Sequence, residues 1–179
     1  MIDRKLTDLK ILIDEETVQA GVQKLADEIN ATLPLDEPLY IICVLKGSIM
    51  FYADLARRLK MPTQMEFIRL SSYGDDEKSS GRMKTIDLNL PILQDKNILL
   101  VEDIVDTGYT AQFVTNILKA EQRPKIFKFA AFLNKECARC VDFEPDYFAY
   151  EVDDKFLVGY GLDYKGYYRN LPYIGYFPN

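Results

Sequence analysis

Between Asn97 and Thr110 the chain reads N-I-L-L-V-E-D-I-V-D-T-G-Y-T, and this stretch gathers the residue types that do chemistry. Glu102, Asp103 and Asp106 are carboxylates that can hold sugar hydroxyls, a magnesium ion or a proton in transit. Thr107, Gly108, Tyr109 and Thr110 follow directly. A Thr- and Gly-containing turn at a helix start can wrap a phosphate, because Gly lets the backbone come close, Thr adds hydroxyl donors, and the first helical N–H groups are unpaired. Carboxylates repel phosphate, so the two groups must serve different parts of one ligand. The residues describe a sugar-phosphate site with an acid/base group. The competing reading is a plain helix N-cap at Asp106 or Thr107 with solvated acids before it.

The elements that must position these groups are legible on either side. Ile98 to Val101 is an unbroken apolar run, as expected of a strand buried on both faces. A short acidic loop should follow it. From Tyr109 the pattern turns helical, with Ala111, Val114, Ile117 and Leu118 at three- and four-residue spacing. Upstream, Glu15 to Ile29 carries Val18, Val22, Leu25, Ala26 and Ile29 at helical spacing, and Pro34 to Pro38 reads as a linker. Leu39 to Leu45 is a second buried strand; Lys46-Gly47-Ser48 is a tight turn, and Ile49 to Leu59 a helix. Met65 to Leu70 is a third strand. The polar run Ser71 to Lys84 reads as a lid, or as a floppy hairpin, with Thr85 to Leu90 as its return. Lys125 to Leu133 is a strand ending in Asn134-Lys135, and Tyr147 to Val152 and Leu157 to Gly161 are the last strands. The aromatic tail from Asp163 to Asn179 reads as a cover or an interface rather than a regular element. Strands alternating with helices indicate an α/β fold with an open, mostly parallel twisted sheet flanked by helices. In such sheets ligands bind past the carboxyl ends of the strands. Lys46, Glu102, Asp103, Asp106, Lys135 and Asp163 all fall at or just after strand ends, so one shared site is expected.

V-E-D-I-V-D-T-G-Y-T resembles the 5-phosphoribosyl 1-pyrophosphate (PRPP) binding motif of type I phosphoribosyltransferases, and within them the hypoxanthine-guanine phosphoribosyltransferases. The similarity runs from about Leu39 to Arg169. It implies one phosphoribosyltransferase domain over residues 1–179, with a core at about 39–162, end segments forming a small hood, and a flexible flap at about 71–90. It implies purine salvage: a 6-oxopurine (hypoxanthine or guanine) displaces pyrophosphate from magnesium-bound PRPP. Glu102 and Asp103 then match the acidic pair on the ribose hydroxyls, directly or through Mg²⁺, and Asp106 the general base at purine N7. Asp106, Thr107, Gly108, Tyr109 and Thr110 match the 5′-phosphate cradle. Lys46 and Gly47 match the pyrophosphate loop, preceded by a non-proline cis peptide, and Arg169 a pyrophosphate contact. Ser72 and Tyr73 match the Ser-Tyr pair of the flap. Lys135 matches the donor to the purine 6-oxo group, Phe156 the ring stacked on the base, and Val158 the backbone contact at its C2 edge. Asp163 matches a carboxylate beside the purine on the metal and pyrophosphate side. A homodimer or homotetramer follows by family habit.

Composition bounds the alternatives. The 179 residues carry a net charge of −6, which leaves no global basic footprint for nucleic acid. There is no histidine, which excludes Ser-His-Asp and Cys-His catalysis and His-ligated zinc. No window of roughly 18 uncharged apolar residues offers a membrane span. Three cysteines make no disulfide framework, and the N-terminus lacks an apolar signal core, so the chain reads as cytoplasmic. Cys137 and Cys140 form a lone C-x-x-C, half of a zinc site, with Glu136, Asp142 and Glu144 nearby to oppose thiolate formation. Two other functions remain: a PRPP-sensing regulator of the same fold, which net charge and Lys135 oppose, and a phosphoribosyltransferase for another base.

Overall fold

The computed structural model describes residues 5–72, 83–87 and 89–178. After a short 3₁₀ turn at Leu6–Asp8, the chain forms β1 (Lys10–Ile13) and α1 (Glu15–Thr32). Asp14 caps α1, its carboxylate accepting from the Thr17 N–H at 2.8 Å, and Glu15 and Glu16 in the first turn complement the helix dipole. β2 (Leu39–Leu45) leads through Lys46-Gly47-Ser48 into α2 (Ile49–Ala56), then β3 (Thr63–Ser72) and β4 (Met83–Asp87). β5 (Asn97–Val105), α3 (Tyr109–Gln122), β6 (Ile126–Asn134) and β7 (Tyr147–Glu151) complete the central layer, followed by β8 (Leu157–Val158) and β9 (Ile174–Tyr176).

Six strands form the main sheet in the order β4-β3-β2-β5-β6-β7, parallel except for the antiparallel β3–β4 edge. Alternation along β2 explains the layering. Ile41 and Cys43 face a core with Val22, Leu25 and Ile29 of α1 and Phe51 and Leu55 of α2. Ile42 and Val44 face the opposite core, with Ala111, Val114 and Leu118 of α3. Both faces are thus covered, as a parallel sheet requires. The order reverses between β2 and β5, and a crevice opens there at the carboxyl ends.

Four expectations are corrected. Glu102 to Val105 is not a loop; these residues continue β5, because β6 extends alongside and pairs Glu102 with Ala131, Ile104 with Leu133 and Val105 with Asn134. α2 stops at Ala56, and single turns through Arg58 and Leu59 replace its last helical residues. The strand expected from Leu157 to Gly161 shortens to Leu157–Val158, since Gly159, Tyr160 and Gly161 all take positive φ (98°, 48° and 99°) and fold the chain back. The aromatic tail does contain a regular element: β9 lies between β1 and β8 in a separate antiparallel three-stranded sheet.

Candidate functional site

The site begins at the junction of β2 and β5. The Leu45–Lys46 peptide bond is cis, and Lys46 is exposed just beyond it. Gly47 lies so close to the end of β5 that a Cβ there would sit 1.7 Å from Asp103 Oδ2, so only glycine fits. Gly161 (φ 99°) is pressed against the other side of the same turn, with space for a Cβ cut to 1.8 Å by the Gly47 carbonyl. The turns at Gly47 and Gly161 are thereby packed backbone to backbone, with the Asp103 side chain at the end of β5 against Gly47.

Glu102 and Asp103 sit beneath two adjoining clefts of about 270 and 230 Å³ that share Glu102, Asp103 and Thr110. Glu102 is buried, and its Oε2 has no hydrogen-bond partner. Burial, reinforced by the Asp103 charge, pushes its carboxyl well above the usual range. Asp103 Oδ1 accepts from the Ile104 N–H at 2.9 Å. Burial is also the main cause that raises the Asp103 carboxyl to about 6, against opposing backbone hydrogen bonds and Arg169.

The phosphate-type turn is formed by Asp106 to Thr110. The cap of α3 is Gly108, in the left-handed region at φ 84°, and not Asp106 or Thr107; no side chain caps this helix. The first-turn N–H groups of α3 are therefore left to a ligand or solvent. Tyr109, at the first helical position, is exposed, and Thr110 lines both clefts. Asp106 is exposed and reaches Lys135, whose Nζ lies 3.3 Å from Asp106 Oδ2 and 3.5 Å from Asp154 Oδ1. Lys135 itself is only 6% exposed. It directly follows β6, its N–H donating to the Val105 carbonyl at 2.9 Å.

Past β8, Asp163 and Arg169 form an ion pair at 2.5 Å. Arg169 Nη1 donates to the Gly161 carbonyl at 2.6 Å, and Asp163 Oδ2 accepts from the Gly166 N–H at 2.7 Å. Val158 is buried and pairs with Gly175 of β9. Phe156 is 56% exposed and meets Tyr164 edge-on at 5.9 Å. Lys46, Gly47, Glu102, Asp103, Asp106 to Thr110, Lys135, Gly161, Asp163 and Arg169 therefore gather at one end of the sheet. Phe156 and Val158 line neither cleft and stand beside it, tied in through Asp154 in the preceding turn. Ser72 is the last residue of β3, while Tyr73 lies outside the described residues. Cys137 and Cys140 are exposed free thiols. Sequence reasoning missed Asp154 and Gly161. Asp154 carries no signal beyond a turn-like Asp-Asp, whereas Gly161, after a buried strand, had the mark of a close backbone approach.

Residues 10–165 match the phosphoribosyl transferase domain family. A hypoxanthine-guanine phosphoribosyltransferase of Aquifex aeolicus is 44% identical over 167 residues, covering 93% of each chain. This chain belongs to that family. Among solved structures it is similar to the Bacillus anthracis hypoxanthine-guanine phosphoribosyltransferase, 39% identical with a TM-score of 0.83 over 93% of this chain and 97% of that one. It is also similar to the Trypanosoma cruzi hypoxanthine phosphoribosyltransferase in complex with the product IMP, 35% identical with a TM-score of 0.86 over 98% and 97%. Among the described residues, no helix is long and apolar enough to cross a membrane.

Proposed function

We propose that this chain transfers the 5-phosphoribosyl group of PRPP to a 6-oxopurine, forming IMP or GMP and releasing pyrophosphate. The observation that carries the base assignment is the 3.3 Å contact between Lys135 Nζ and Asp106 Oδ2. A 6-oxopurine presents O6 and N7 side by side on one edge. Lys135, a donor only, suits O6; Asp106, an acceptor when ionised, suits an N7 proton. A donor and an acceptor held this close read that edge together.

In the reaction, the purine N9–C1 bond forms as the C1–pyrophosphate oxygen bond breaks, and Asp106 takes the N7 proton as general base. The unpaired N–H groups at the start of α3, with Thr107 and Thr110, hold the 5′-phosphate. The unpartnered buried Glu102 oxygen lacks a donor, and the ribose 2′- and 3′-hydroxyls would supply one. The Lys46-Gly47 turn and Arg169 receive the pyrophosphate, and Phe156 stacks on the base with Val158 at its C2 edge.

Magnesium fits this donor set. Among the described residues no group of three or more carboxylates and thiols could cage an ion unaided. Mg²⁺ characteristically uses one or two carboxylates with water and substrate phosphate oxygens, so no such cage is required. Glu102, Asp103 and Asp163 would hold it directly or through water, and when bound it would offset charge on the departing pyrophosphate.

The test is a steady-state assay with PRPP and Mg²⁺, offering hypoxanthine, guanine, xanthine and adenine in turn. Hypoxanthine or guanine should turn over and adenine should be a poor substrate, because its 6-amino donor would face the Lys135 donor, a mismatch of about 1–3 kcal/mol or roughly 5- to 150-fold in kcat/KM. PRPP binding without turnover of any base would replace the enzyme by a PRPP sensor. Turnover of adenine alone would replace the substrate class.

A further inference from the structure

The segment after β6 is stapled to the end of β5 by two backbone hydrogen bonds, Lys135 N–H to the Val105 carbonyl and Cys140 N–H to the Thr107 carbonyl, both 2.9 Å. Between those staples Arg139 turns back behind the phosphate-type turn. A Cβ on Gly108 would lie 2.9 Å from Arg139 Cδ and 3.2 Å from its Nη1, so the guanidinium packs against Gly108 from the rear. Its Nη2 donates to Asn134 Oδ1. Its Nε and Nη1 are buried and have no partner. Among the described residues Arg139 makes no ion pair.

A guanidinium keeps its proton at any working pH, and a partly buried cation without a counter-charge is costly. The acids nearest in the chain and in the adjoining turn do not meet that cost: Asp106 is paired with Lys135, and among the described residues neither Glu136 nor Asp142 forms an ion pair with Arg139. The charge lies instead behind the turn proposed to hold the 5′-phosphate. We infer that Arg139 is a positioning residue for the 5′-phosphate loop. It wedges Gly108 in its left-handed conformation, and it places a positive charge one backbone thickness behind the bound phosphate. A bound phosphate would supply the counter-charge. The same segment carries Lys135, so a single loop sets both the base contact and the support of the phosphate cradle.

This inference rests on the proposed function, since it takes residues 106–110 as the 5′-phosphate cradle. The test uses the full chain and ribose 5-phosphate, which carries the 5′-phosphate without pyrophosphate. Binding to wild type, Arg139→Met and Arg139→Lys is measured by calorimetry across a range of salt, with Tm recorded for each. Arg139→Met should weaken ribose 5-phosphate by roughly ten-fold or more, an effect of one charge at short range in an intermediate dielectric. It should flatten the salt dependence and raise KM for PRPP more than it lowers kcat. Arg139→Lys should recover most of the affinity. Unchanged affinity in Arg139→Met overturns the inference. Equal losses in both variants, tracking a lowered Tm, also overturn it, because the residue would then only fill space. If the Met variant does not fold, Arg139→Gln is measured in its place and read the same way. Failure of the wild type to bind ribose 5-phosphate would instead sink the cradle assignment itself.

Discussion

Replacing Asp103 by Asn should make the unliganded protein more stable while removing its activity. Burial lifts the Asp103 carboxyl from 3.8 to about 6. Each tenfold change in proton affinity corresponds to about 1.4 kcal/mol, so ionised Asp103 is about 3 kcal/mol less favourable in the folded chain than in the unfolded one, or about 2 kcal/mol after its partial solvent contact is allowed for. The sign follows from the protons. Between about pH 4 and pH 6 the folded chain still holds a proton that the unfolded chain has released, so stability falls as pH rises through that window. Above it the whole deficit is present. Asn keeps an oxygen for the Ile104 N–H, which Asp103 Oδ1 now accepts at 2.9 Å, and carries no charge to desolvate. Asp103→Asn should therefore exceed wild type by about 2 kcal/mol near pH 7.5 and match it near pH 4. The chain has no tryptophan, so urea unfolding followed by far-UV circular dichroism at both pH values is the suitable assay. Saturating PRPP and Mg²⁺ should narrow the difference, because the ligand compensates the charge only in wild type. Parallel pH profiles for the two proteins would refute the desolvation argument.

Asp106→Asn should lower kcat by roughly 10²–10⁴ with PRPP affinity retained, and single-turnover kinetics with unchanged kcat would remove Asp106 as the base. Lys135→Ala should slow hypoxanthine and guanine turnover and narrow the gap to adenine; an unaltered ratio of kcat/KM values would place selectivity elsewhere. Gly161→Ala forces a Cβ to within 1.8 Å of the Gly47 carbonyl at a φ of 99°. It should cost about 1–3 kcal/mol in urea unfolding and raise KM for PRPP, and wild-type values for both would show that the two turns can move apart.

How far the sequence reveals this site depends on how local each cause is. β2 is legible to the residue because Leu39–Leu45 is apolar on both faces and bounded by Pro38 and Lys46-Gly47. α3 is legible because Ala111, Val114 and Leu118 repeat at the helical period and do form its buried face. The motif gathers Glu102, Asp103 and Asp106 in one short stretch, so their convergence needs little tertiary information. The acids looked like loop residues, yet Glu102 and Asp103 are strand residues because β6 supplies hydrogen bonds that no local pattern encodes. β9 was unreadable for a similar reason: Ile174–Tyr176 becomes a strand only between β1 and β8, partners far apart in the chain. The competing reading, a plain N-cap of α3 at Asp106 or Thr107, is not what forms. Asp106 and Thr107 are strong cap formers, but Asp106 is drawn off by Lys135 and Gly108 takes the cap position in a conformation open to glycine. Arg139 and Asp154 have no sequence signature because their importance comes from what stands beside them.

The small three-stranded sheet gives the molecule an order of assembly. All six strands of the main sheet, with α3 and the phosphate-type turn, are encoded before Val152. β8, which sets the backbone at Val158, pairs with β9, and β9 pairs with β1 at the opposite end of the chain. During synthesis, β1 must wait unpaired while everything between is made, until Ile174–Tyr176 emerges. A chain can complete its main sheet, with the Asp106–Lys135 pair and the proposed phosphate turn, while the Val158 side of the site is still unformed. Competence to bind a phosphorylated sugar should thus precede full competence to bind a purine, and the pairing of β9 with β8 completes the base side.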